Sequence, residues 1–218
     1  MRINVNNIEL NYEKIGDGKP LIFLHGNGED NTIFDSLTKA LSPYYSIYLI
    51  DSRGHGKSSI VNEFHYEIMS EDIYQFINKL NLNKPALFGF SDGGIIGLLM
   101  GIKHPNLLSR LLVAGVNINP LGIQEKARKD MISNYKISSN PLLKLMIEEP
   151  NITKEDLQKI VVPTMIFVGE HDVIKKYHTK MIHKNIKNSK LEVMLKHTHD
   201  SYITHQNILK NLIIQFIA

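Results

Sequence analysis

The 218-residue sequence contains no cysteine. That removes disulfide frameworks, zinc–thiolate sites, iron–sulfur clusters and cysteine nucleophiles together, and it fits a reducing compartment. The sequence also has little excess of either charge: 25 Lys and Arg stand against 22 Asp and Glu, and the basic residues are scattered, so no nucleic-acid partner is expected. No stretch reaches the ~20 uninterrupted apolar residues of a membrane span; the most apolar one, Ala86 to Ile102, is broken by Asp92 and several glycines. Residues Met1 to Asn7 alternate apolar and polar, which reads as a strand and not as a signal peptide. These absences predict a cytoplasmic protein without a membrane span. What is present is a 43% hydrophobic complement, enough for a globular core and too much for a disordered chain.

Short β-branched or aromatic runs alternate with helical stretches, the mark of a mostly parallel sheet with helices on both faces. Ile3–Val5 and Ile8–Lys14, joined by Asn6-Asn7, are too close for a crossover helix and predict an antiparallel hairpin at the sheet edge. Strands follow at Leu21–Leu24, Tyr45–Ile50, Ala86–Phe90, Arg110–Ala114, Thr164–Val168 and Leu191–Leu195, making eight. Helices are expected near Thr32–Leu41, Ser70–Leu80, Gly93–Lys103 and Ile174–Ile186, with a last one from about Asp200. Residues 117–158 break the alternation with helical apolar spacing and read as a small helical cap inserted in one domain spanning 1–218; the charges from Glu125 to Asp130 read as a solvated helix face.

The strongest chemical signal is Gly89-Phe90-Ser91-Asp92-Gly93, which follows one strand directly and opens a helix. A serine on so tight a turn is held in a strained backbone with its hydroxyl clear of the sheet, at the positive end of a helix. The plainer alternative is a glycine-rich turn with Ser91 as helix N-cap. His25-Gly26-Asn27-Gly28 ends another strand, and backbone N–H groups from two such loops suit an oxyanion, so Asn27 and Asp92 are the candidate donors. A dinucleotide site is a weaker match, because the third glycine of its pattern is Asn31. Gly56-Lys57-Ser58 mimics a phosphate loop, but Asp51 stands where the first glycine belongs; a loop anchored by Asp51 and Arg53 through local hydrogen bonds is the better account.

An orienting acid and a base are expected after the serine, in that order. Gly169-Glu170-His171-Asp172 supplies the acid, with Glu170 or a purely capping Asp172 as alternatives. His197-Thr198-His199-Asp200 supplies the base, and His199 is preferred over His197 because it abuts the expected helix start, where Asp200 or Ser201 could cap. The His197/His199 pair fails a two-metal pattern because Tyr202 stands where a histidine is needed. His178 and His183, five apart, are read as surface residues.

In order and context, the His25-Gly26 turn, the segment Asp51 to Ser58, Gly89 to Gly94, Gly169 to Asp172 and His199 resemble the α/β-hydrolase superfamily over nearly the whole chain. The resemblance implies a hydrolase with Ser91 as nucleophile, His199 as general base and acid, Asp172 as orienting acid, and Asn27 and Asp92 as backbone oxyanion donors. It also implies that 117–158 is a lid over the pocket, that no cofactor or metal takes part, and that a small-molecule ester or related acyl compound is the substrate. Serine at 91 argues against the members that use an aspartate nucleophile. A carbon–carbon hydrolase or lyase, or a silent ligand-binding protein on the same scaffold, are the alternatives. The Ser-Asp-Gly-Gly block is similar to relatives acting on amino-acid esters, so the Asp92 side chain either favours a cationic substrate or turns away to cap its helix.

Overall fold

A computed structural model describes residues 1–218. Asn6 and Asn7 both take left-handed backbone angles (φ 43° and 61°), the geometry of a tight hairpin turn, and join β1 (Arg2–Val5) to β2 (Ile8–Ile15). The remaining strands are β3 (Lys19–Leu24), β4 (Tyr45–Ile50), β5 (Ala86–Phe90), β6 (Arg110–Ala114), β7 (Thr164–Gly169) and β8 (Ser189–Met194). They form one eight-stranded sheet in the order β1-β2-β4-β3-β5-β6-β7-β8, with β1 and β2 antiparallel additions and the rest parallel. This is the architecture expected from the sequence.

Side chains alternate between the two faces of the sheet, and the central strands are buried on both. In β3, Ile22 and Leu24 join the core under α2 (Tyr66–Lys79) and α3 (Asp92–Lys103), while Leu21 and Phe23 face the core under α1 (Asp35–Leu41) and α8 (Lys210–Ile217). Between β6 and β7 lie α4 (Glu125–Ser138), α5 (Pro141–Glu148) and α6 (Lys154–Leu157); α7 (Lys176–Asn185) separates β7 from β8. No residue of α4 is buried, in line with a solvated charged face. No helix is long and apolar enough to cross a membrane.

The structure departs from three expectations. Helix α2 starts at Tyr66 and not near Ser70, because the Glu149 carboxylate, distant in sequence, accepts the Tyr66 N–H at 3.0 Å. No helix starts at Asp200; the chain turns there, and His205, at φ 55°, gives its N–H to the Ile33 carbonyl, so α8 begins only at Lys210. His178 is not a surface residue. It is buried beneath the 118–122 segment, where its Nε2 accepts the Ile118 N–H at 3.0 Å, and burial draws its pKa down to about 4.

The loop after β4 is anchored at Asp51, but only partly by the local bonds expected: its carboxylate accepts from Lys57 nearby and from Asn11 and Asn31 on distant segments. Arg53 instead reaches α2, forming a two-pronged ion pair with Asp72, both bonds 2.6 Å and both side chains buried. Desolvation still holds the Asp72 carboxyl above its ordinary pKa, so the pair does not fully offset its own burial. Asp72→Ala is therefore expected to cost ~3–5 kcal/mol in urea unfolding by leaving Arg53 buried and unpaired, whereas Arg53→Met with Asp72→Leu costs less than that single change. Equal losses would contradict this.

Candidate active site

The tight turn between β5 and α3 depends on two close approaches. A Cβ at Gly89 would run into the Gly93 carbonyl, and one at Gly93 would run into the carbonyl of Leu24 at the end of β3. With no side chains at either position, the Gly93 N–H reaches the His25 carbonyl at 3.1 Å and the Ser91 N–H reaches the Ala114 carbonyl at 2.8 Å. Ser91 is left at φ 50°, ψ −113°, a conformation that side-chain-bearing residues avoid. Its hydroxyl makes no cap bond to α3. It lies 3.2 Å from His199 Nε2, placed to donate there, and His199 Nδ1–H donates to Asp172 Oδ1 at 2.7 Å.

Asp172 is buried and held from two more sides. Its Oδ2 accepts the Gly169 N–H at 3.2 Å and its Oδ1 the Ile174 N–H at 2.9 Å, so the carboxylate ties down the loop after β7 as well as holding the imidazole, while α7 itself has no side-chain cap. Glu170 stays apart, accepting the Lys196 N–H. His197 is bonded to Ser201 and takes no part. Of the two histidines it is His199 that meets Ser91 and Asp172, but the helix start offered as the reason for preferring it is absent; the turn is fixed instead by Ser201, which accepts the Thr198 N–H.

Asn27 and Asp92 line the same cavity as Ser91 and His199, about 360 Å³ in volume. Their backbone N–H groups have no acceptor within the protein, whereas those of Gly26, Gly28 and Gly93 are taken by Glu29, His55 and His25. His25 and His55 lock the two loops together from beneath: His25 Nε2 accepts the Ser52 N–H, and His55 Nε2 accepts the Gly28 N–H. Each ring also donates through Nδ1 to a backbone carbonyl, so each serves as a neutral imidazole; burial lowers the His25 pKa to about 4.

The Asp92 side chain does not turn away to cap its helix. Its carboxylate makes no helix cap and is engaged by the Tyr66 hydroxyl at 2.7 Å and the Asn27 side-chain amide at 2.8 Å, while burial raises its pKa. Tyr66, Glu29 and Glu149 line the cavity and were missed. Glu29 carried a weak signal, three residues past Gly26 in a glycine-rich loop; its carboxyl accepts the Gly26 N–H and is raised by burial. Tyr66 and Glu149 carried none, because only the fold makes them neighbours. Apolar side chains, Phe90, Ile123, Met131, Met146, Val173 and Ile174, complete the wall, and no Lys or Arg joins them.

A sequence profile of the alpha/beta hydrolase fold matches residues 19–129, just over half of the chain. The chain belongs to this family. This α/β hydrolase is similar to human "Serine hydrolase BPHL", 25% identical with 99% of this chain and 85% of that protein covered. The esterase EaEST of Exiguobacterium antarcticum superposes with a TM-score of 0.87 at 23% identity, covering 99% and 98% of the two chains. A variant of the meta-cleavage product hydrolase CumD gives 0.81 at 17% identity, covering 99% and 97%. Of the first curated relatives it matches, the chain spans 66%, 85% and 50% of their lengths.

Two outcomes follow from this geometry. Glycine normally costs ~0.5–1 kcal/mol relative to alanine inside regular structure; at position 91 the left-handed backbone reverses that, so Ser91→Gly should unfold at a higher urea midpoint than Ser91→Ala, and a lower midpoint would show that the turn is unstrained. The hydrolase should also lose stability on acidification. His25 and His178 hold folded pKa values of about 4 against an ordinary 6.5, so the unfolded chain binds protons that the folded one refuses. Stability is full above pH 6.5 and falls between 6.5 and 4, by on the order of 3 kcal/mol from His25 alone. A urea midpoint independent of pH over that window would contradict the assignment.

Proposed function

We propose that this α/β hydrolase is a serine hydrolase that cleaves a small carboxylic ester or related acyl bond through an acyl-enzyme intermediate. The observation that carries the reading is the hydrogen-bonded chain Ser91–His199–Asp172, with its hydroxyl end opening into a cavity beside two backbone N–H groups that lack protein acceptors. In this reading Ser91 Oγ attacks the carbonyl carbon as His199 Nε2 takes the hydroxyl proton. The oxyanion is received by the N–H groups of Asn27 and Asp92, each worth ~3–4 kcal/mol of barrier lowering in comparable sites. His199 then returns the proton to the leaving alcohol, and water, activated by the same nitrogen, releases the acid. Asp172 keeps the proton on Nδ1, so that Nε2 is the acceptor.

Segment 117–158 acts as the lid. Ile123, Met131 and Met146 from it, with Phe90, give the cavity an apolar wall for the acyl group. Labelling by a fluorophosphonate probe that vanishes in Ser91→Ala supports the enzyme; a folded protein that takes no label overturns it. Asp172→Asn should lower kcat by ~10⁴, as the same exchange does in a serine-protease triad, and a loss below tenfold would remove Asp172 from the scheme. Product analysis on ester and carbon–carbon substrates separates acyl transfer from the other bond cleavage known on this scaffold.

A further inference from the structure

The side chains of the two residues offered as oxyanion donors are bonded to each other. Asn27 Nδ2 donates to Asp92 Oδ2 at 2.8 Å, and Tyr66 donates to Asp92 Oδ1 at 2.7 Å, so both oxygens of this buried carboxylate are held by neutral groups. Asn27 Nδ2 also reaches the Leu142 carbonyl at 3.3 Å in the first turn of α5. At the other end of α5, Glu149 accepts the Tyr66 N–H at 3.0 Å and pairs with His65. The contacts form a closed ring: Asp92, Asn27, the start of α5, its end, Tyr66 and back to Asp92.

A carboxylate this close to a developing oxyanion opposes it electrostatically, and its burial is itself unfavourable. Its geometry supplies what offsets this. Asn27 stands on the loop after β3, between Gly26 and Gly28, the latter at φ 71°, whereas Asp92 stands in the first turn of α3. One side-chain bond ties the loop donor directly to the helix donor. The carboxylate accepts one hydrogen on each oxygen, from Tyr66 and from Asn27, whereas an amide at 92 would turn an NH2 group towards one of them. We propose that the Asp92 carboxylate, gripped by Tyr66, is a positioning group that sets the separation of the two oxyanion donors, and that it is not a counter-charge for a cationic substrate. This rests on the serine-hydrolase reading.

The test compares wild type, Tyr66→Phe, Asp92→Asn and the double variant on two p-nitrophenyl esters, one with a short neutral acyl group and one aminoacyl. Wild-type labelling by the fluorophosphonate probe first establishes the serine chemistry; its absence would defeat that reading and with it the proposal, whereas labelled protein with unchanged kinetics in the variants would defeat the proposal alone. A misplaced donor costs up to ~10² in rate, so Asp92→Asn should lower kcat ~30–100-fold and Tyr66→Phe about tenfold on both esters, with KM changed less than about threefold. The double variant should be no worse than Asp92→Asn. The inhibition constant of a trifluoromethyl ketone, which binds as the tetrahedral adduct, should rise in proportion to the loss of kcat/KM. Tyr66→Phe keeps the buried ring and carries the test alone if Asp92→Asn fails to fold. Unchanged kcat in Tyr66→Phe overturns the proposal. So does a KM rise confined to the aminoacyl ester, which would make Asp92 a cation site.

Discussion

Helix α3 and the ends of β3 and β5 approach so closely at Gly89 and Gly93 that no Cβ fits at either position. Most of the site follows from this contact. It brings the Gly93 N–H onto the His25 carbonyl, which fixes the loop of Asn27 against the turn of Ser91. It forces Ser91 into a left-handed backbone, and with that into a position where its hydroxyl meets His199 and not its own helix. It also leaves the Asp92 N–H, at the start of α3, without a partner of its own. Sheet, loops and helix are thus held in one geometry by the absence of two side chains.

Local chemistry was legible in the sequence, and contacts between distant segments were not. Strand patterning was enough for all eight strands, because alternation in β1 and continuous apolar runs in β3, β5 and β6 report burial directly. The glycines around Ser91 and the strand-end positions of Asp172 and His199 carried the site for the same reason: each is a strand followed by an abrupt turn. Helix ends were harder. Glu149 caps α2 from across the fold, and the turn at 200–205 is closed by Ile33, neither of which any local rule could supply. His178 was misread because helical spacing says which residues share a face, not which segment will lie over it.

Burial of charge sets the chemical character of the cavity. Glu29 and Asp92 are both raised by desolvation, and neither is met by a Lys or Arg in the cavity wall. Each instead accepts from neutral groups: Gly26 for Glu29, and Asn27 with Tyr66, at the start of α2, for Asp92. The acidic side chains thus act on loop geometry as well as on charge. The ring of bonds through α5 extends that geometry into the inserted helices, so the wall of the cavity and the donors beside Ser91 are one connected structure.

The central claim is that acyl transfer passes through the Ser91 oxygen, and the most direct measurement is rapid-quench mass spectrometry during turnover of a p-nitrophenyl ester. The account predicts an added mass equal to the acyl group, located on the peptide containing Ser91, together with loss of both adduct and turnover in Ser91→Ala. Ester cleavage that persists in Ser91→Ala, or an adduct on another residue, would contradict it.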